Sequence, residues 1–518
     1  VIQTALLHGI DAVLVSVETD ISNGMPSFDM VGYLSSEVRE SRERVRSALK
    51  NCGYQLPVKR ITVNLSPASL RKSGSGFDLP VALSILSCDG VLSPEAVEDV
   101  FVVGELGLDG SIKPCLGILP MMFLAREKQV RVCLVPKENL TEARLVEGVP
   151  VVGVSHIREA ISFLKDGEMP VEYTGEINGG KTGGNSSETG NGLSGGKDDF
   201  QNIHGQKLLK RACEVAVSGM HNLLMIGPPG AGKTMIARAI PSILPSMTQE
   251  EQLVLSKIYS VSGLFGERVS LLTKRPFRSP HHTVTSVGLT GGGTVVRPGE
   301  ISLAHGGVLF LDELPEFSKQ TLEILRQPME EKVVHITRAG GQFVFPADFM
   351  LVAAMNPCRC GYFPDMNRCR CSRRDITSYL SRISQPLIDR IDITVEAAAI
   401  GFSELKKESV EESSAEIRDR VVRVHEIQKQ RFINESYHFN SQIPAEDLEK
   451  YCPLGEKEER YMEQMFYRMN LTARTYHKML RVARTLADME GAENIGLTHL
   501  NEAVCYRSAD KKYWEDNS

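Results

Sequence analysis

Gly227-Pro-Pro-Gly-Ala-Gly-Lys-Thr234 has the residue types and spacing of a phosphate cradle. Compact residues at Gly227, Pro228, Pro229, Gly230, Ala231 and Gly232 let main-chain N–H groups fold into an anion nest, and a helix opening at Lys233 adds its positive end. Lys233 then reaches the β- and γ-phosphates of ATP, and the Thr234 hydroxyl ligates Mg²⁺. A purely structural glycine turn is the alternative. The flanks argue against it, because the apolar run Asn222 to Ile226 reads as a buried strand and Met235 to Ile240 as the start of a helix.

A second apolar run, Gly307 to Leu311, ends in Asp312-Glu313, so two carboxylates emerge at the C-terminal edge of a strand, where open α/β sheets bind ligands. An acidic pair there is by itself a solvated turn. Paired with the upstream loop, it divides the labour: Asp312 holds the Mg²⁺ shell and Glu313 polarises the attacking water. A third run, Phe349 to Ala354, leads to Asn356, which alone reads as a turn residue but in this company is placed to sense the γ-phosphate. Further on, Cys358, Cys360, Cys369 and Cys371 form C-x-C-x8-C-x-C, which reads either as a structural Zn²⁺ site with no open position or as free, redox-labile thiols.

These groups need elements to hold them. With 518 residues the chain exceeds a single core, and 42% hydrophobic against 24% charged residues is an ordinary globular balance. The net charge of −6 excludes a bulk cationic coat, so any nucleic-acid contact must be local. Eleven cysteines, an odd number in so long a chain, suit reduced thiols better than a disulfide scaffold. No apolar run approaches a spanning helix and no leader is evident, so the expectation is a cytoplasmic protein with no membrane contact. Val1 falls inside a strand-like run, which suggests that a few residues precede it. Gly167 to Lys197 is crowded with Gly, Ser, Thr and Asn and cannot bury a core. The resulting reading is α/β throughout: a mixed domain over 1–166, a flexible linker over 167–200, a P-loop core with a parallel sheet over 201–400, and a helical segment with a C-terminal lid over 401–518.

With those motifs in place, the chain resembles the Mg-chelatase-like AAA+ ATPases of bacteria, specifically the ComM/YifB family. Arg275-Pro-Phe-Arg-Ser-Pro-His-His-Thr283, Gly291 to Gly293 and Arg297-Pro-Gly-Glu-Ile-Ser-Leu-Ala-His305 carry the likeness beyond the shared ATPase motifs. The resemblance implies an ATP-dependent homo-oligomer, a hexameric ring, with each ATP sandwiched between neighbours. Arg390 stands where the family places the arginine finger given to the next subunit, and Arg474 resembles the sensor-2 arginine of the lid, reading the γ-phosphate with Asn356. Without the family, each arginine reads as a surface ion pair. Gln385 replaces the usual glycine near the finger.

The N-terminal domain resembles the ribosomal protein S5 domain 2-like fold shared with the Lon protease domain and the RadA C-terminal domain, through Leu70 to Pro80 and Gly104 to Gly110. The Ser and Lys positions of that protease fall on Gly76 and about Leu119, so proteolysis is disfavoured and a binding or assembly platform is expected. Two segments are candidates to touch DNA: the hairpin around Ala339 to Gly341, with Lys332, His335 and Arg338, which the family places towards the ring pore, and the insert carrying Arg278, His281, His282 and Arg297, which the resemblance likewise reads as a pore loop. By composition alone both are solvated loops. The function this implies is an ATP-hydrolysing ring motor that remodels DNA, as in branch migration during recombination or natural transformation. The rivals are a Mg-chelatase subunit, disfavoured because no D-x-S-x-S motif follows the lid and the S5-like domain precedes the motor, and a nucleotide-gated scaffold.

Overall fold

The computed structural model describes residues 1–168, 198–265, 270–293, 295–338, 341–398 and 411–515. Most of the expected linker, 169–197, and the expected hairpin tip, 339–340, lie outside the described residues. The N-terminal part carries β1 (Ile2–His8), β2 (Asp11–Ser22), β3 (Ser27–Val31), β4 (Arg60–Ser66), β5 (Val100–Val102), β6 (Glu105–Leu106), β7 (Ile112–Lys113), β8 (Val132–Pro136) and β9 (Val151–Val154). A seven-stranded sheet runs β3-β4-β2-β1-β5-β8-β9, antiparallel where β2 meets β1 and β4 and parallel elsewhere. The helix Asp78–Cys88 is buried through Leu79, Val81, Leu83 and Ile85, so it has no solvent stripe and sits inside the domain. The helix Ile157–Asp166 stops at Gly167, whose φ of 71° is a left-handed cap that costs a glycine little.

The second part carries β10 (Leu223–Ile226), β11 (Phe277–Arg278), β12 (Gly291–Gly292), β13 (Arg297–Pro298), β14 (Val308–Leu311), β15 (Val333–Arg338), β16 (Gly341–Pro346), β17 (Met350–Met355) and β18 (Ile393–Glu396). Five of them form a wholly parallel sheet in the order β11-β14-β17-β10-β18. Every residue of β10, β14 and β17 is buried, as expected for strands covered by helices on both faces. Register sets Ile226 opposite Met355 and Leu311 opposite Ala353, so the segments after β10, β14 and β17 leave at one edge. That edge gathers the phosphate loop, the acidic pair and Asn356 from separate parts of the chain.

The helices Ser414–Arg431, Glu456–Arg468, Ala473–Glu490 and Leu497–Cys505 follow. Their apolar faces (Val421, Met479, Leu486, Leu500) share one core with Ala216, Ile240 and Val352, so these helices and the sheet are held by common packing across the boundary drawn at 400. Beneath the start of β18 the junction is polar. The Lys478 ammonium donates to the Ile391 carbonyl and pairs with Asp392 at 3.2 Å, and Asp392 accepts from the Asn222 N–H. His221, fully buried, bonds the Thr485 hydroxyl at 2.8 Å.

The N-terminal domain is docked on this core. The buried Glu142 carboxylate accepts from the Leu119 N–H and the Ser260 hydroxyl, Gly117 N–H donates to the Ser260 carbonyl, and Asp11 pairs with Lys257 at 2.8 Å. The β1–β2 turn lies on β16, with His8 against Phe343 at 4.9 Å between ring centroids. Among the described residues no helix is long and apolar enough to cross a membrane.

Candidate functional site

The phosphate loop follows from β10 ending against β18. A side chain at Gly227 would strike the Ala397 carbonyl oxygen, and Gly230 and Gly232 adopt φ of 78° and 80°, so this path requires glycine. Gly232 directly precedes the helix Lys233–Ile243. Gln206 props the loop from outside, donating to the carbonyls of Ala231 and Ala398; nothing in its sequence context announces that role.

Lys233 is almost fully buried, and its ammonium donates to the carbonyls of Gly227 (2.6 Å) and Pro228 (3.0 Å) and to Asn356 Oδ1 (3.2 Å). Burial lowers its pKa, and the Asp312 charge partly opposes this. The Thr234 hydroxyl donates to Asp312 Oδ2 at 2.8 Å, so the two expected Mg²⁺ ligands already touch. Asp312 Oδ1 accepts from the Glu313 N–H at 2.9 Å, which turns Glu313 into a left-handed conformation (φ 53°) with its carboxylate exposed. Strain of this kind recurs where a side chain must be aimed. Two adjacent acids therefore face different ways, one into the loop and one to the space beside it.

His282, expected at a DNA surface, lies beside this acid: its Nδ1 is 3.5 Å from Glu313 Oε2, and its ring centroid is 4.0 Å from that of His281, the planes tilted by 35°. Other candidates for DNA are also engaged. Arg278 makes a bidentate pair with Glu300 at 2.7 Å for each bond, half-buried, so its fork is occupied. Lys332 pairs with Asp348 at 3.1 Å, and His335 lies 3.5 Å from Glu331. His281, Arg297 and Arg338 are exposed, and among the described residues none of the three has an ion pair. Arg338 does reach Gly292, so the hairpin and the glycine-rich insert touch.

Arg390 sits at the opposite end of the sheet from the loop: its carbonyl accepts from Asn222 Nδ2, ahead of β10. Its guanidinium donates to the carbonyls of Arg326 and Pro386 and meets Glu330 Oε1 at 2.7 Å. Arg474 meets the same oxygen at 3.0 Å. Arg474 thus stands with Arg390 rather than with Asn356, one helical turn before Lys478 grips the start of β18. The lid packs at the N-terminal end of the sheet, which sets Arg474 beside Glu330. Glu330 was missed altogether, since a glutamate at the end of a short helix carries no signal.

The four cysteines converge, with all Sγ atoms within 4.8 Å of one another and pairs at 3.3, 3.5 and 3.8 Å. Tetrahedral Zn–S bonds of about 2.3 Å require S···S near 3.8 Å, so the donor set fits zinc. The Phe363 N–H points at Cys358 Sγ (3.4 Å), as suits a thiolate. Gly361, inside the knuckle with φ 85°, lies against Pro229 of the phosphate loop, where a β-carbon would come within 2.5 Å of the proline ring. In the N-terminal domain Lys72 is buried and donates to the Pro67 carbonyl, while Ser75 is bonded to Glu105, so neither activates the other.

Known proteins resemble the chain over nearly its full length. Residues 199–405 match the family described as magnesium chelatase, subunit ChlI; residues 17–139 match subunit ChlI of Mg-chelatase, and 411–507 match its C-terminal family. The chain is 39% identical to the competence protein ComM of Haemophilus influenzae over 96% of both chains. It is 37% identical to YifB of Salmonella typhimurium, covering 99% of this chain and 97% of that one. Likeness to the magnesium-chelatase 67 kDa subunit of Chlorobaculum tepidum is 30% and covers 30% of this chain and 23% of that protein.

Proposed function

The chain belongs to the ComM/YifB family of Mg-chelatase-like AAA+ ATPases, and from that premise we propose that it is an ATP-driven ring motor that remodels DNA. The family implies ATP and Mg²⁺, and the residues fit them. Lys233 and the loop N–H groups would hold the phosphates, and Thr234 with Asp312 would hold Mg²⁺, which when bound neutralises charge on the β- and γ-phosphates. Glu313 orients and deprotonates the attacking water, assisted by His282, whose imidazole can share that proton. Asn356 senses the γ-phosphate from beside Lys233.

The observation that carries the reading is the pairing of Arg390 and Arg474 on one carboxylate at the far end of the sheet from their own phosphate loop. Two guanidiniums so placed serve a neighbour's nucleotide and not their own, which supports a closed ring, hexameric as in the resemblance. Zinc in the cysteine knuckle would be structural, tying the segment after Asn356 to Pro229. The name of the competence-protein relative supports DNA as the polymer, with branch migration in recombination or transformation as the use. The deciding experiment is the ATPase rate with and without single-stranded or forked DNA, together with particle mass in ATP. Stimulation with assembly supports the motor, stimulation only by a chelatase partner supports the rival, and neither leaves a nucleotide-gated scaffold.

A further inference from the structure

Of the cations nominated for DNA, Arg278 and Lys332 are paired within the chain, whereas Arg297 and Arg338 stand apart; a denser basic set lies elsewhere. Arg359 lies between Cys358 and Cys360, and Arg370 between Cys369 and Cys371; Arg368 precedes the second pair, and Arg373-Arg374 opens the helix Arg373–Leu380. All five are exposed, and among the described residues none has an ion pair. The convergence of the sulfurs forces this display. In C-x-C the flanking thiols turn inward, so the middle side chain turns out, and four thiols within 4.8 Å compress the arginines onto one small knob.

Local acids offset only part of that charge. Asp365 is bonded to the Asn367 N–H, and Asp375 is the reciprocal cap of Ser372, lying in the field of both Arg359 and Arg374. Arg373 and Arg374 occupy the first turn of a helix, where the dipole disfavours cations. Arg368 lies flat over the Tyr362 ring, its carbon 4.1 Å from the centroid. In a chain of net charge −6, five guanidiniums without an ion pair among the described residues, two of them at the positive end of a helix, are an arrangement that an external anion stabilises.

We propose that the cysteine knuckle is a docking site for the phosphodiester backbone of a nucleic-acid strand. The guanidinium forks match phosphate oxygens in a way lysine does not, and the Tyr362–Arg368 stack offers a face to an unpaired base. Exposed arginines beside an aromatic stack suit a strand that offers both phosphates and bases better than an acidic protein face, which offers no base to stack. This rests on the DNA reading above and gives it a location that the hairpin does not.

The test uses the full-length protein carrying Arg359→Gln, Arg368→Gln, Arg370→Gln and Arg374→Gln, with every cysteine kept, and a fluorescently labelled forked oligonucleotide. Affinity is followed by anisotropy between low and moderate salt, alongside DNA-free ATPase and mass in ATP. Loss of about four phosphate contacts lowers the slope of log affinity against log salt by roughly 3, because each contact contributes about 0.7 to 0.9. The expected result is that loss with DNA-free ATPase and assembly retained. Equal slopes in variant and wild type overturn this site while leaving DNA binding intact; no binding by the wild type overturns the DNA reading with it. Loss of ATP-dependent mass reassigns the patch to a subunit contact and also overturns the proposal. If melting shows the quadruple variant unfolded, Arg368→Gln with Arg374→Gln, both on exposed positions, decides by the same criteria with about half the slope change.

Discussion

Glu313→Gln separates the two acids that the strand delivers side by side. The Glu313 carboxylate makes no hydrogen bond to the phosphate loop; its main-chain N–H holds Asp312, and Asp312 holds Thr234. Exchanging the carboxylate for an amide therefore leaves the loop, Lys233 and the Mg²⁺ ligands in place and removes only the base. General-base catalysis is worth about 10²- to 10⁴-fold, or roughly 3 to 5 kcal/mol, and kcat should fall by that amount with ATP affinity kept. Glu313→Gly adds a control: relieving the left-handed φ of 53° should stabilise the fold by about 1 kcal/mol while hydrolysis is still lost. Steady-state phosphate release, retention of labelled ATP on a filter and thermal melting read these quantities. Parallel loss of ATP binding in Glu313→Gln, or hydrolysis within a few-fold of wild type, would refute the division of roles.

Lys233→Ala should abolish nucleotide retention, and Arg390→Ala should hydrolyse at background alone yet recover when mixed with it. In an equal mixture about a quarter of the interfaces pair an intact loop with an intact finger, so recovery to near that fraction of wild type is expected in phosphate release. Glu330→Gln should lower kcat with little change in KM, since it frees both arginines without touching the loop; a combined Glu330→Gln and Arg390→Ala variant should be no worse than Arg390→Ala. Metal analysis of protein purified under reducing conditions should find about one zinc per chain, and chelation should lower both the melting temperature and ATP affinity, because the knuckle rests on Pro229. Burial holds His221 down to about 4, below its ordinary 6.5, so the unfolded chain takes a proton that the folded one refuses as pH falls from about 6.5 to 4. Up to about 3 kcal/mol of lid–core stability should be lost across that window, and His221→Gln should flatten the pH dependence of melting.

The phosphate loop, the acid pair, Asn356 and the cysteine spacing were legible because each is a short consecutive pattern whose chemistry depends on neighbours in the chain. Two all-apolar runs ending in polar residues are enough to predict a parallel sheet with those residues at one edge, and β14 and β17 obey that rule. Resemblance alone pointed to Arg390 and Arg474, and the structure adds that both meet Glu330. Basic residues misled in both directions. Arg278 looked available and is paired with Glu300, whereas Arg359 and Arg370 looked like spacers between cysteines and stand unpaired in solvent.

Sequence by itself thus determined which groups are proposed to bind and cleave a triphosphate, since that pattern is written in local residue order and in the run of buried strands. Tertiary structure alone decided which charges are paired and which arginines meet one carboxylate. Arg474 and Glu330 lie 144 residues apart, and the choice among surface partners turns on differences of about 1 kcal/mol or less that no local pattern encodes. The lid's packing at the N-terminal end of the sheet, a property of the assembled core, made that choice.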